Sequence, residues 1–284
     1  MKRFRAMCSA RRFGAGRRAS AATLGTLLML LATGAPPPSP ADANEPLTVF
    51  AAASLSEAFR ELGEEFQRRE GLAVRFNFAG SQQLVTQLEQ GAGADVFASA
   101  DLRWMRAIET RGLAQGKAQP FAGNVLVVLV PNSNPARIHA PLDLARAGVR
   151  LVLAAENVPA GAYSREALRR LAGEPGYPPD FARRVLANVV SHEDNVRGVV
   201  GKVQLGEADA GMCYRSDVSR VVAKHVRTIE IPGAANVRAS YPIAILRDAR
   251  HAEAARRFVA LVMSADGQLI LARHGFLPPE SGAR

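Results

Sequence analysis

Ser54 stands where a short apolar run, Val49 to Ala53, gives way to an amphipathic one. A hydroxyl at such a strand–helix junction sits among the first N–H groups of a helix. Those groups have no intrahelical partner and attract anions. The same construction recurs at FAGSQQL (from Phe78), VPAGAYS (from Val158), EDNVRGV (from Glu193) and AGMCYRSD (from Ala210). Together the five junctions predict one enclosed anion held by neutral donors, a chemistry of capture and not of turnover. Alone, Ser54 would be a helix N-cap, and Tyr214 would be a core tyrosine with its hydroxyl satisfied locally. The ordered set gives them weight.

Other chemistries lack their residues. A serine hydrolase of the G-x-S-x-G type needs that pattern and a His–acid pair to serve it, and neither serine stands in it. The five histidines (139, 192, 225, 251 and 274) are scattered and show no H-E-x-x-H spacing. An iron site would need clustered tyrosines or carboxylates, and the chain has four tyrosines in all. No enzymatic activity and no metal cation are therefore expected.

Charge is misleading until the N-terminus is set aside. Lys2, Arg3, Arg5, Arg11, Arg12, Arg17 and Arg18 precede an apolar run, Ala21 to Ala35, that is shorter than the roughly 20 residues of a spanning helix. A Pro-rich stretch then leads to Ala41-Asp42-Ala43, a small-x-small cleavage pattern. Residues 1–43 are expected to be a signal peptide, cleaved near Ala43, with Sec and twin-arginine export both open. That segment holds seven of the 36 basic residues and one of the 26 acidic ones, so 29 and 25 remain, a formal +4 in place of +10. The remainder shows no basic cluster interleaved with aromatics, so no nucleic-acid partner is expected. Cys213 is its only cysteine, which excludes an internal disulfide and fits a small buried side chain.

The elements that must position the junctions alternate. Apolar runs at 46–53, 72–79 and 94–101 are each followed by a helical pattern, at 55–69, 82–91 and 102–112. This order predicts a parallel sheet with helices on both faces. A second unit starts at 124–131 and continues through strands at 150–156, 208–214 and 226–232, with helices within 161–172 and 196–206. A strand at 241–246 and helices at 251–263 and 265–275 close the chain. Two α/β lobes are expected: 44–124 and 239–284 form the first, and 125–238 the second. Ligands in such sheets bind beyond the carboxyl ends of the strands. Asp95 is expected to end a strand, Asp101 to cap a helix and Trp104 to pack. Asp194 is expected as a capping acid and Arg197 as a solvated partner at helical spacing, with support of the cleft as the lesser alternative.

VFAAASL, GAGADVFASAD with Trp104-Met105, VPAGAYSREAL, EDNVRG and GMCYRSD closely resemble the periplasmic molybdate-binding proteins of ABC importers, the ModA family. The resemblance runs in order over essentially the whole chain after residue 43. It implies an α/β fold of the two-lobed periplasmic binding protein class, type II. Each lobe would be a sheet flanked by helices, with the ligand cleft between lobes. It further implies a periplasmic monomer that takes molybdate, and tungstate with it, as a tetrahedral oxyanion and delivers it to a permease and its ATPase. Molybdenum would enter as ligand, not cofactor. Carried over position by position, the ligand contacts fall on Ser54, Ser81, Ala160, Val196 and Tyr214. The family often has a run of hydroxyls where this chain has Gly80, Gln82 and Gln83, leaving Ser81 the only hydroxyl of that loop. Pro159-Ala160-Gly161-Ala162 offers no acid, which favours tetrahedral over six-coordinate binding. Sulfate, also fully deprotonated near neutral pH, is the alternative ligand.

Overall fold

The computed structural model describes residues 45–280; the signal peptide expected over residues 1–43 lies outside them. The strands of the first half are β1 (Leu47–Ala52), β2 (Val74–Ala79), β3 (Val96–Ala98) and β4 (Gln119–Asn124). Those of the second are β5 (Leu126–Pro131), β6 (Leu151–Ala154), β7 (Val189–Glu193), β8 (Ala210–Tyr214) and β9 (Val226–Glu230). Strand β10 (Ala239–Ile245) then returns to the first half. Two five-stranded sheets result, ordered β2-β1-β3-β10-β4 and β7-β6-β8-β5-β9.

The parallel pairing expected of the first three strands holds, but neither sheet is parallel throughout. β1, β2 and β3 run parallel, but β10 lies antiparallel between β3 and β4. In the second sheet β6 is parallel to β7 and β8, whereas β5 is antiparallel to β8 and β9. The reversal follows from the chain's route. It leaves the first sheet between Asn124 and Leu126 and comes back from the opposite side between Glu230 and Ala239. Pro242 sits inside β10, where it cannot donate a ladder bond, and the register shifts at Tyr241/Pro242 to accommodate it. The two crossings are tied together. Asn236 accepts from the Leu126 N–H at 3.1 Å and donates to its carbonyl at 2.8 Å.

Alternation along β1 assigns its two faces. Leu47, Val49 and Ala51 pack with Phe59 and Phe66 of α1 (Ser56–Glu70). Phe50 joins Leu84, Val85 and Leu88 of α2 (Ser81–Glu89), and Met105 and Ile108 of α3 (Leu102–Thr110), on the other face. In the second half α4 (Pro159–Leu171), α5 (Phe181–Ala187) and α6 (Val196–Gln204) surround the sheet. The last helices, α7 (Ala252–Met263) and α8 (Ala265–Arg273), pack against α1. Strands β4 and β7 and helix α5 have no counterpart in the sequence reading. Between β5 and β6 a 3₁₀ turn spans Pro141–Ala145. Cys213 is unpaired and fully buried on β8, where burial pushes its thiol well above the usual range. Among the described residues, no helix is long and apolar enough to cross a membrane.

Candidate functional site

All five residues carried over from the resemblance meet in one small cavity. The rest of its wall is mainly small residues, among them Ala52, Ala53, Gly80 and Ala100, together with Asn195. Among the described residues, no Lys, Arg, His, Asp or Glu lines it. Ser54 and Ser81 come from the first half, and Ala160, Val196 and Tyr214 from the second.

Each residue is placed by the element it begins or ends. Ser54 occupies a 3₁₀ turn, Ala53–Leu55, between β1 and α1, and its Oγ lies 3.0 Å from Tyr241 Oη. Ser81 is the first residue of α2, and its Oγ accepts from the Ala100 N–H at 3.1 Å. A hydroxyl that accepts from a backbone N–H still has its own proton to donate. Its backbone N–H belongs to the first helical turn, where no preceding helical carbonyl receives it.

Ala160 lies in the first turn of α4, behind Pro159 at the opening position, where a missing N–H costs nothing. Gly161 follows because a Cβ there would collide with the Ala154 and Ala155 carbonyl oxygens at the end of β6. Glycine thus lets the start of α4 seat directly against the sheet. Val196 opens α6. The cap is Asn195, whose Oδ1 accepts from the Arg197 N–H at 3.0 Å and the Gly198 N–H at 3.3 Å. That cap serves the second and third helical N–H groups and leaves the first, on Val196.

Tyr214 ends β8 and is 1% exposed, and its Oη has no hydrogen-bond partner among the described residues. Burial, reinforced by the neighbouring Tyr241 and Tyr163, holds this phenol well above its ordinary pKa. It therefore keeps its proton and remains a donor. The ring meets those of Tyr241 and Tyr163 nearly edge-on, with centroids 5.8 and 6.5 Å away. A buried phenol normally finds a partner.

Two expectations change. Asn195, not Asp194, caps α6, because Asp194 turns its carbonyl toward the other half and accepts from Gln82 Nε2 at 2.7 Å. Arg197 is not a solvated partner: its Nη2 donates to Ser56 Oγ at 2.7 Å and Glu57 Oε1 at 2.9 Å. Trp104 packs against the Phe50, Leu84 and Met105 cluster as expected, and in addition its Nε1 donates to the Asn157 carbonyl at 2.9 Å. Asp101 does cap α3, accepting from the Trp104 N–H at 2.9 Å. Sequence reasoning missed Tyr241, whose contact with Ser54 spans 187 residues and has no local signal. It also passed over Asn195, although Asn before an apolar helical run is a strong cap signal. Beside the site, burial pushes the Asp217 carboxyl up to about 7; its Oδ2 accepts from the Tyr214 N–H at 2.9 Å, and its Oδ1 has no partner.

Two sheets joined by paired crossings, with uncharged donors from both facing one small cavity, define a two-lobed solute-binding protein. Residues 47–277 match the family model described as bacterial extracellular solute-binding protein. The molybdate-binding protein ModA of Mycobacterium tuberculosis is 41% identical over 244 residues, covering 86% of this chain and 88% of that protein. ModA of Escherichia coli is 32% identical over 238 residues, covering 81% and 88%. Among solved structures, the Azotobacter vinelandii periplasmic molybdate-binding protein shares the fold, with a TM-score of 0.71 at 20% identity, over 82% of this chain and 100% of that one. The chain belongs to the bacterial extracellular solute-binding proteins and, among them, to the ModA family.

Proposed function

We propose that this protein captures molybdate, and tungstate with it, in the cavity between its lobes and delivers it to a membrane permease driven by a separate ATPase. The carrying observation is the Tyr214 hydroxyl, buried and unpartnered, in a wall that holds donors from both lobes and no charged side chain. The relatives' names supply the identity of the anion.

The ligand set is Ser54, Ser81, Ala160, Val196 and Tyr214. The two serines give hydroxyl and backbone N–H donors, Ala160 and Val196 give helix-start N–H groups, and Tyr214 gives its phenol. Burying a dianion without partners is severely unfavourable. Each hydrogen bond to a charged group contributes about 1.5–3 kcal/mol, and each helix start adds about 0.3–1 kcal/mol. Five to seven donors can thus offset desolvation and leave the roughly −8 to −12 kcal/mol of a micromolar to nanomolar binder. No neutralising arginine is required.

A wall of donors also selects by protonation state. Hydrogen phosphate brings an O–H that needs an acceptor, but the wall holds no carboxylate, and Asn195 Oδ1 already serves its own helix. The lobes are taken as residues 44–124 with 239–284, and 125–238. The anion bridges them only when they close, so binding shifts the population toward closure. Residues 1–43 serve as the export signal, cleaved near Ala43, and the released monomer works in the periplasm. The family binds solutes, and no catalytic role is assigned.

Calorimetry of one purified sample with molybdate, tungstate, sulfate and phosphate tests this reading. Molybdate and tungstate are expected to bind at micromolar or tighter affinity, and phosphate not at all. Sulfate binding more tightly than molybdate would transfer the site to the alternative ligand.

A further inference from the structure

Two side chains tie the lobes together on either side of the Asn195–Val196 turn. Gln82, on α2 of the first lobe, donates its Nε2 to the Asp194 carbonyl of the second at 2.7 Å. Arg197, on α6 of the second lobe, donates to Ser56 Oγ at 2.7 Å and to Glu57 Oε1 at 2.9 Å on the first turn of α1. Neither side chain belongs to the cavity wall. Residues 194 and 197 bracket the helix start whose free N–H is proposed to meet the anion.

We propose that Gln82 and Arg197 are positioning residues that lock the cleft shut and set the rate at which the anion leaves. The proposal rests on the anion site described above and adds to it the control of release. Each bond joins one lobe to the other, so it forms only when the lobes meet. Its free energy therefore favours closure and not the fold of either lobe. Bonds formed after encounter act mainly on dissociation, whereas association follows diffusion into the open cleft. The fit at this seam is close. A Cβ on Gly80 would lie 2.5 Å from the Gln82 amide and 2.6 Å from the Asp194 carbonyl oxygen. The amide end can turn aside, but the carbonyl is backbone, so only glycine at 80 allows the approach.

The test uses the mature chain and Gln82→Met, Arg197→Met and Gly80→Ala. Release is followed by exchange of radiolabelled molybdate against excess unlabelled molybdate, closure by small-angle X-ray scattering, and folding by the melting temperature without molybdate. Gln82→Met and Arg197→Met are each expected to release molybdate about tenfold faster, with association changed less than about twofold and the anion-free melting temperature unchanged. Gly80→Ala is expected to keep a larger radius of gyration than wild type at saturating molybdate. Wild-type release rates in both methionine variants would overturn the proposal, as would melting temperatures lowered equally with and without molybdate. If wild type binds no molybdate, the site reading fails separately. The lock is then judged by scattering alone: a radius of gyration larger in the Gln82→Met/Arg197→Met double variant than in wild type supports it, and equal values overturn it.

Discussion

Tyr214 and Ser54 are proposed to donate from opposite lobes, yet their removal should have different signatures. Tyr214 Oη has no partner among the described residues, so on the proposed reading Tyr214→Phe deletes a bond made only to the anion. Molybdate affinity is expected to fall by about 1.5–3 kcal/mol, while the anion-free protein melts at the same temperature or higher. Ser54→Ala also removes the partner of Tyr241 Oη, so it should weaken binding and lower the anion-free stability by about 1 kcal/mol. Calorimetry with scanning calorimetry on both variants separates the two, and a destabilised Tyr214→Phe would contradict the assignment. Asp217 gives a pH signature. Its folded pKa, about 7, lies above the 3.8 of an ordinary aspartate. The folded state therefore keeps a proton that the unfolded chain has released, and stability falls by about 1.4 kcal/mol per pH unit between roughly pH 4 and 7. Below that window both states are neutral at this group, and above it the penalty is constant. Asp217→Asn keeps an acceptor for the Tyr214 N–H. Its stability gain over wild type should grow from pH 4 to 7 and then level off. A gain independent of pH would remove Asp217 as its source.

The elements matter here for how they start. α2, α4 and α6 each present a first turn to the cavity, and of the three only α6 has an N-cap side chain that accepts from its own helical N–H groups, whereas on α2 Gln83 Oε1 accepts from the Gly80 N–H before the helix at 3.0 Å. Asn195→Ala removes acceptors for two N–H groups, and the loss of such a cap costs about 0.5–2 kcal/mol of stability. Because the frayed turn is the one that carries Val196, molybdate affinity should fall with it. An unchanged affinity alongside lowered stability would place the anion away from α6. The starts of α2 and α4 were legible in the sequence, since each sits where an apolar strand run changes to period 3.6, whereas that of α6 was legible only from the helical run that begins at Val196. What was not legible depended on the other lobe. Arg197 has ordinary helical spacing, and nothing near it in sequence reveals that Glu57, 140 residues away, waits across the cleft. Strand β7 was missed because its residues, Val189 to Glu193, are only partly buried and carry a weak apolar pattern. The antiparallel insertion of β10 depends on the chain's return path, which local pattern cannot encode.

At the scale of the whole molecule, binding and folding are linked by mass action. A ligand held only by the folded chain stabilises it by about 2.7 kcal/mol at one hundred times its Kd. Molybdate should therefore raise the melting temperature progressively with concentration, and phosphate at the same ionic strength should not. An equal rise with both would mark a general salt effect. The broad architecture followed from strand–helix alternation, but the two crossings are held side by side by Asn236 bracing Leu126, a contact between distant stretches that only the folded chain makes. The sole sulfhydryl among the described residues, Cys213, lies fully buried with its thiolate disfavoured. Maleimide or nitroxide reagents should leave it untouched, so thiols introduced one per lobe on the outer surface would carry probes without background labelling. Jaw opening could then be tracked in real time by resonance energy transfer.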